Sequence, residues 1–397
     1  MCKLIRSLLM IFVFALVANA ADYAPHDNDV FWVGGTGTWR TWTNWSDPAP
    51  GQWYIPGVVA TNPYNDGSWA YNGNNGRAII QSGTAQITST SQPDGQVYMT
   101  CVGSISGANL DILSTSGELK LWNTYVGPNA GYSGTINQSG GTVKLRGTTR
   151  IGGDGNGAYN LSGGSLTVGE KDVTIGNVSG STGQLTISGG TLLQTGSTFY
   201  LGYYGTGVIN QTGGDVTFDL LRMGYRSTGD GGNVYSISGG TFQHNKYLGI
   251  YNDSTFKVVG SGAESIRIMQ LNSSGEGAGS KLAVELDSIG STLIEVYGDP
   301  DNGDPYIGGA DLSYVTLFID TLVDFDGVIG ETYDILWSAT TINTTGMSLV
   351  CLSDTMFSWD VVDYNGGELL QLTVIPEPAT IILLSAGYLV LAVKRKK

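Results

Sequence analysis

Tyrosine and arginine side chains recur at one position of a pattern that repeats through the middle of this chain. Aromatic rings and guanidinium groups set in a row can stack against sugar rings and hydrogen bond along an extended glycan. Such a row can also serve only to stabilise neighbouring strands, and we favour this structural ladder over the glycan-binding alternative. The row, called the Tyr/Arg stripe below, contains Tyr125, Arg150, Thr174, Tyr200, Arg222 and Tyr247, and it is thickened by Tyr203, Tyr204, Tyr225, Arg226 and Tyr251.

Residue patterns that support catalysis are missing from the sequence. No G-x-S-x-G, H-E-x-x-H, phosphate-binding loop or Cys/His cluster occurs. His26 and His244 are the only histidines, and they lie in unlike contexts. We interpret His244 as a structural residue, because other repeats carry Leu145, Val168 or Phe218 at its position. We therefore expect no enzyme, although carboxylates from different repeats could still meet in one groove.

One acidic segment has a superficial likeness to a calcium-binding loop. It places Asp299, Asp301 and Asp304 within the sequence Asp-Pro-Asp-Asn-Gly-Asp. An EF-hand loop needs Asp or Asn at its fifth position and Gly at its sixth. This segment instead has Gly303 fifth and Asp304 sixth. A solvated acidic turn is the better interpretation, and we expect neither a metal nor a cofactor.

Two sequence markers repeat with the same period in the middle of the chain. One is an aliphatic residue followed by glycine, and the other is a Gly-Gly pair after Ser or Thr. Two markers in one phase over six copies indicate a repeat architecture. The Gly-Gly pairs are 23, 26, 24 and 26 residues apart, at Gly140-Gly141, Gly163-Gly164, Gly189-Gly190, Gly213-Gly214 and Gly239-Gly240.

These repeats predict an all-β fold, a right-handed parallel β-helix with about 24 residues per coil. Glycine suits the corners, where the backbone has positive φ or approaches another strand closely. A β-propeller does not fit, because its blades need about 40 residues or more. Alternating polar and apolar residues give each strand one inward face. The predicted inward columns are Val143, Leu166, Leu192, Val216 and Phe242, and Val126, Ile151, Ile175, Leu201, Met223 and Leu248.

Less regular segments flank the repeats at residues 101–255. Six of the nine tryptophans lie between Trp32 and Trp69. Residues 21–100 are therefore predicted to form an aromatic-rich N-terminal cap and the first coils, which would protect the open edge of the solenoid. Sugar stacking is the alternative role for these tryptophans. Residues 256–374 are predicted to form irregular coils that end in an antiparallel β cap or small sandwich.

The first residues of the chain have the pattern of a secretory signal peptide. Lys3 and Arg6 precede an apolar stretch, and Ala18-Asn19-Ala20 provides a small-residue cleavage site. Residues 1–20 are therefore predicted to be removed after Ala20. The chain is expected to be exported.

The last residues, 375–397, combine a helix-breaking motif with an apolar run and a basic end. The motif is Pro376-Glu377-Pro378. The arrangement resembles the PEP-CTERM sorting signal of exported bacterial proteins. This resemblance covers only the tail, and it implies an exosortase-type membrane enzyme as a partner, transient retention in the inner membrane through the short C-terminal segment, and delivery to the cell surface or extracellular matrix. It also implies an association with exopolysaccharide.

Two further resemblances concern the mature region. The Gly-Thr-Trp and Asn-Trp pattern at residues 37–45 resembles the segment that opens many PEP-CTERM repeat proteins. The glycine-rich repeats are similar to those of autotransporter passenger domains.

Composition excludes nucleic acid as a partner and limits the number of disulfide bonds. Acidic residues outnumber basic ones by 34 to 19, which gives a net charge of −15. Nucleic acid is excluded as a partner, because binding to phosphates needs a basic surface. Cys101 and Cys351 are the two cysteines beyond the signal region. So few cysteines do not make a disulfide scaffold, and a single bridge between them is left open.

The sequence thus leaves three classes of function in order of preference. The first is an exported structural protein of the cell surface or extracellular matrix. The second is a carbohydrate-binding adhesin that uses the Tyr/Arg stripe. The third is a polysaccharide-degrading enzyme, because parallel β-helices also support such enzymes.

Overall fold

The computed structural model describes residues 29–41, 44–46, 77–90, 97–105, 107–226, 232–272, 279–298 and 309–376. These residues form an all-β parallel solenoid with about 26 residues per coil. The predicted all-β class and parallel β-helix are confirmed, and the predicted coil of about 24 residues is slightly too short. Within the described ranges, no helix has the length and hydropathy needed to cross a membrane.

The N-terminal end of the solenoid is closed by tryptophans and a short antiparallel strand. β1 (Asp29–Trp32) lies between β3 (Trp45–Ser46), which is antiparallel to it, and β4 (Arg77–Ile80), which is parallel. The buried ring of Trp45 meets Trp32 at 5.0 Å and Trp39 at 4.8 Å between centroids. This packing agrees with the predicted aromatic cap. The other strands here are β2 (Thr36–Thr38), β5 (Gly83–Ile87), β6 (Val97–Val102) and β7 (Ala108–Ile112).

Each regular coil contributes one strand to each of three walls, and strands within a wall are parallel. Wall A contains β9 (Ser133–Gln138), β12 (Asn156–Leu161) and β15 (Thr182–Ile187). Wall B contains β10 (Thr142–Leu145), β13 (Ser165–Val168) and β16 (Thr191–Gln194). Wall C contains β11 (Thr149–Ile151), β14 (Val173–Ile175) and β17 (Phe199–Leu201). β8 (Glu118–Val126) serves walls B and C, and the long strands β18 (Thr206–Met223) and β19 (Val234–Ile250) pass through all three walls.

The predicted inward columns are confirmed except at one residue. The paired residues of wall B run Val143, Leu166, Leu192, Val216 and Phe242, and all five are buried. Those of wall C run Val126, Ile151, Ile175, Leu201 and Met223. The sixth predicted member is wrong, because Leu248 pairs with Leu221 and Ile250 pairs with Met223.

Both glycine markers lie at corners where no other residue fits easily. Gly176 follows the inward Ile175 and has φ +72°, and a Cβ there would lie 2.3 Å from the Thr206 carbonyl oxygen. Gly190 ends a Gly-Gly pair at φ +77°, and its Cβ would lie 2.6 Å from the Gly164 carbonyl oxygen. Positive φ and contact with the backbone of a neighbouring coil therefore both require glycine.

Two glutamines in the core satisfy buried polar groups in the same way. The Gln211 amide accepts a hydrogen bond from the Tyr235 hydroxyl at 2.8 Å and donates to the Thr241 carbonyl at 2.8 Å. Gln138 likewise accepts from the Tyr159 hydroxyl at 2.6 Å. Each pair leaves an otherwise costly buried hydroxyl with a partner.

Beyond residue 256 the solenoid continues with longer coils and ends in antiparallel pairing. Lys281 pairs with Thr316, 35 positions later, and Thr316 pairs with Ser348, 32 positions later. The parallel strands are β20 (Thr255–Val259), β21 (Ala263–Ile268), β22 (Leu271–Asn272), β23 (Lys281–Leu286), β24 (Ile294–Val296), β25 (Ala310–Asp311), β26 (Thr316–Thr321), β27 (Thr332–Ser338), β28 (Ile342–Asn343) and β29 (Ser348–Cys351). The last strands are β30 (Met356–Tyr364) and β31 (Gly367–Ile375), and β31 is antiparallel to both β27 and β30. The predicted irregular coils therefore close with an antiparallel cap that shares the solenoid's sheet.

The two cysteines of the mature region do not form a bridge. Cys101 is buried beside Ile79, near the N-terminal end. Cys351 is half-buried in β29, near the other end, and neither cysteine is part of a disulfide. The bridge that the sequence left open is therefore not formed.

Candidate functional site

The Tyr/Arg stripe lies on the outer face of wall C. The paired residues run Tyr125, Arg150, Thr174, Tyr200 and Arg222 on successive coils. Each precedes an inward aliphatic residue, and alternation along a strand therefore directs it outward. Five of the six predicted positions are thus brought into one column.

The predicted position of Tyr247 in this column is wrong, because a bulge moves the residue out of the column. Phe218 pairs with His244, 26 positions later, whereas Leu220 pairs with Tyr247, 27 positions later. β19 therefore holds one extra residue between these pairs. As a result, Gly249 is the residue that pairs with Arg222.

The stripe is also divided into two groups by a short side chain. Thr174 separates Tyr125 and Arg150 from the residues that follow, and it is almost fully buried. In the first group, the guanidinium carbon of Arg150 lies 5.8 Å from the Tyr125 ring centroid. The second group, called the Tyr/Arg patch below, comprises Tyr200, Tyr203, Tyr204, Arg222, Tyr225, Arg226, Tyr247 and Tyr251.

The tyrosines of the patch form a connected set of rings across neighbouring coils. Tyr203 meets Tyr200 at 4.9 Å and Tyr204 at 4.8 Å between centroids, both edge to face. Tyr225, from the next coil, lies 5.7 Å from Tyr200 and 5.9 Å from Tyr251. Such contacts stabilise adjacent strands. The hydroxyl of Tyr247 hydrogen bonds to that of Tyr251, so Tyr247 still joins the edge of the patch.

Two arginines lie among these rings. The guanidinium carbon of Arg222 is 4.7 Å from the Tyr225 centroid. Arg226 is 5.5 Å from the Tyr203 centroid and 5.8 Å from that of Tyr225, and it donates a hydrogen bond to the Tyr204 hydroxyl at 3.2 Å. That hydrogen bond raises the pKa of Arg226. The Arg226 guanidinium therefore stays charged at physiological pH.

Within the described ranges, the arginines of the patch differ from several other cations in having no carboxylate partner. Lys144 and Arg146, for example, lie 3.2 Å and 2.9 Å from the Glu170 carboxylate. Among the residues that the structure describes, no carboxylate lies within ion-pair distance of Arg222 or Arg226. The patch is thus a positive and aromatic area on a protein of net charge −15.

The patch is accessible from solvent. Tyr204 is 41% exposed and Arg226 is exposed, whereas Tyr200, Tyr203 and Tyr225 are half-buried. Burial raises the pKa of the Tyr203 phenol, so this hydroxyl stays protonated and able to donate. The geometry fits stacking and hydrogen bonding on an open face.

His244, the one histidine that the structure describes, belongs to the core. It is fully buried in wall B between Phe218 and Ile268 of the adjacent coils. Its Nε2 accepts a hydrogen bond from the Leu221 N–H at 3.2 Å. Burial lowers its pKa to about 3, and the charge of Asp219 opposes this only in part. The position agrees with the structural role inferred from the sequence.

Acid is expected to destabilise the protein through His244. Its pKa in the folded state lies below the value of about 6.5 expected when unfolded, so the unfolded chain takes up the proton first as the pH falls. The free energy of unfolding should therefore drop below pH ~6.5, by up to about 1.4 kcal/mol per pH unit. Urea unfolding at pH 7.0 and 4.5 measures this loss.

The matched variant is His244→Gln. Gln194, two coils earlier in the same column, already accepts backbone N–H hydrogen bonds from Asp219 and Leu220 at 2.8 Å and 3.1 Å. Glutamine at position 244 can therefore replace the acceptor without titrating. We expect the variant to lose about 2 kcal/mol less than the original chain between the two pH values. An equal loss of stability in the variant and in the original chain would contradict the role of His244. The Asp219 carboxylate is present in both proteins, so it cannot cause a difference between them.

Several sequence predictions lie outside the described residues. They are the cleavage site at Ala18 and Ala20, His26, the acidic segment with Asp299, Asp301 and Asp304, and Glu377 and Pro378 of the tail motif. Within the described part of the chain, no group of three or more His, Cys, Asp or Glu residues could hold a metal ion.

The sequence identified the members of the patch but missed its division and the displaced tyrosine. Spacing gave no signal for the displaced tyrosine, because Met223-Gly224 and Leu248-Gly249 are 25 residues apart, within the range of 22 to 26 that the other markers show. No protein-family model, curated protein or solved structure matches this chain.

Proposed function

We propose that this chain is an exported structural protein of the bacterial cell surface or extracellular matrix. One observation carries the proposal: a single hydrophobic core runs from Trp32 to Val374 through every coil. Twelve strands, from β2 to β29, pair in one parallel series, and at ~4.8 Å each they make a rod roughly 55 Å long. A rod with a continuous core suits a scaffold better than a protein that must open and close.

The outer surface of the rod supports the same proposal. On wall A, the Asn137 amide donates to the Asp111 carboxylate at 2.8 Å, and the Asn160 amide donates to the Asn137 carbonyl at 2.9 Å. This ladder ties three coils together from outside. Side-chain hydrogen bonds between coils oppose local opening, which favours resistance to proteases.

The sorting signal is the second support, and it comes from the sequence. Pro376 directly follows β31, the last strand that the structure describes, so the Pro-Glu-Pro motif begins directly after that strand. An exosortase-type membrane enzyme is the partner that would process this tail. The membrane would hold the protein only through the C-terminal segment, and exopolysaccharide is the material with which the rod would associate.

Deletion of Pro376-Glu377-Pro378 in the producing cell tests the proposal. We expect the intact protein to reach the surface and matrix fractions, and the deletion variant to fall there at least tenfold while it accumulates in the membrane fraction. The control changes Ser353, Asp354 and Thr355, in the turn between β29 and β30, to Ala. Full surface delivery of the deletion variant would overturn the sorting role.

An enzymatic readout separates the proposal from the third class of function. The purified protein should release no reducing ends or unsaturated products from bacterial polysaccharides. Release of either product would overturn the structural proposal in favour of a polysaccharide-degrading enzyme.

A further inference from the structure

The Tyr/Arg patch extends along the axis of the solenoid. Tyr200 lies on β17, Arg222 on β18 of the next coil, and Tyr251 directly after β19 of the coil beyond. Successive coils are ~4.8 Å apart, which is close to the length of one sugar ring in an extended glycan. A linear chain with a regular repeat could therefore contact several coils in the same way.

The charges of the patch select among linear chains. Within the described ranges, Arg226 makes one hydrogen bond, to the Tyr204 hydroxyl, and the buried Nε of Arg222 has no hydrogen-bond partner. A guanidinium group presents several N–H donors in a planar fork that matches a carboxylate. Because no carboxylate of the described chain takes this place, the patch fits a ligand that brings its own.

The fold argues against a peptide as that ligand. β17 is hydrogen bonded to β14 on one side and to β18 on the other, and β18 is paired in turn with β19. No free strand edge lies under the patch, so a peptide cannot add as another strand. What remains is stacking on rings and ion pairing, which suits a sugar ring with a carboxylate substituent.

We propose that the Tyr/Arg patch binds a linear acidic polysaccharide whose sugar rings carry carboxylates, aligned along the solenoid. The rings of Tyr203, Tyr204 and Tyr225 stack against the apolar faces of successive sugars. Arg222 and Arg226 bind their carboxylates. This goes beyond a structural role, and it does not depend on the sorting signal, because it concerns the folded rod alone.

Titration of the purified full-length protein with polygalacturonate tests the proposal. We expect saturable binding, measured by calorimetry at about 0.15 M salt, where nonspecific ion attraction is largely screened. Fully methyl-esterified polygalacturonate has the same backbone without the charge, and we expect its affinity to be at least tenfold lower. Equal binding of the two polymers would overturn the acidic ligand in favour of a neutral glycan.

Arginine variants locate the binding site. Arg222→Gln and Arg226→Gln should each weaken binding of polygalacturonate at least tenfold. The matched control is Arg267→Gln, since Arg267 also lies over a tyrosine, 4.8 Å from the Tyr297 centroid, but is paired with Glu295 at 3.2 Å. The control should bind normally. Equal loss in all three variants, or no loss in the first two, would overturn the assignment to the patch.

Two further measurements complete the test. Tyr204→Ala should weaken binding of polygalacturonate while the urea midpoint stays close to that of the original chain, because this ring is largely on the surface. Inorganic polyphosphate of similar length should compete poorly, since it offers no sugar ring for stacking. Competition as strong as that of polygalacturonate itself would mean simple anion attraction and would overturn the proposal. Failure of surface delivery in the producing cell would contradict only the proposed structural function. It would leave the proposed binding of polysaccharide by the patch unchanged.

Discussion

Replacement of Gly176 by alanine is expected to cost more than about 4 kcal/mol in stability, an exceptional loss for one methyl group. The residue has φ +72°, a backbone conformation that costs other residues about 1–2 kcal/mol. The added Cβ would also lie 2.3 Å from the Thr206 carbonyl oxygen and 2.5 Å from its carbon. That backbone belongs to the next coil, so relief of the clash must separate the two coils.

Gly180→Ala, in the same coil, is the control for this substitution. Gly180 has φ +81° but no atom within 4 Å of its added Cβ. It should therefore cost only the conformational term of about 1–2 kcal/mol. Urea unfolding followed by far-UV circular dichroism compares the two midpoints. Equal shifts would show that contact between coils is not what demands glycine at this corner.

The regular part of the fold could be predicted because each coil repeats the same physical requirements. Inward positions must be apolar, and corners must be glycine. The sequence therefore identified the column through Ile151, Ile175 and Leu201, as the strand pairing confirms. The two markers gave the same period although their causes differ. The aliphatic-Gly marker places an inward residue before a corner, and the Gly-Gly marker allows close approach of two backbones at the next corner.

The prediction failed where one corner is built differently. Leu248-Gly249 matches the marker, but Gly249 is not among the glycines with positive φ. The corner comes later, after Ile250, where Asn252 and Asp253 adopt φ values of 41° and 55°. Asn and Asp tolerate this conformation better than most residues. Local spacing alone could not distinguish this corner from a glycine corner, so the column was assigned two residues too early.

The long coils near the C-terminal end could be predicted only in outline. Insertions in loops add residues between strands without changing which strands pair. Thr316 still pairs in parallel with Lys281 across a separation of 35 positions. A fixed period cannot reveal such pairing, although the strand-like runs themselves were visible in the sequence.

For the candidate site, the sequence supplied the residues and the structure supplied their partners. Spacing placed Tyr200 and Arg222 in one column. The contact between Arg226 and Tyr204 joins the turn after β17 to the turn after β18, and no repeat pattern encodes it. That no described carboxylate pairs with either arginine likewise depends on side-chain positions in three dimensions.

Phe218→Ala is expected to destabilise the rod by about 3–5 kcal/mol, the usual cost of removing a fully buried phenylalanine ring. Phe218 is fully buried, with its ring centroid 4.9 Å from that of Phe199 and 6.2 Å from that of Tyr235. These partners belong to the coils before and after it, so the cavity weakens both interfaces. Leu193→Ala is the control, because Leu193 lies on β16 with its side chain 37% exposed, and it should cost less than about 1 kcal/mol.

Limited proteolysis of the Phe218→Ala protein shows which coils lose stability. Each coil of a solenoid contacts only its neighbours, so a defect in one coil should open the rod there first. We expect limited digestion to cut the variant near residues 195–245 and to leave fragments from either side, while the Leu193→Ala protein resists digestion. Cleavage confined to the chain ends would mean that the coils unfold as one cooperative unit, because local opening at the cavity would then cost as much as unfolding the whole rod.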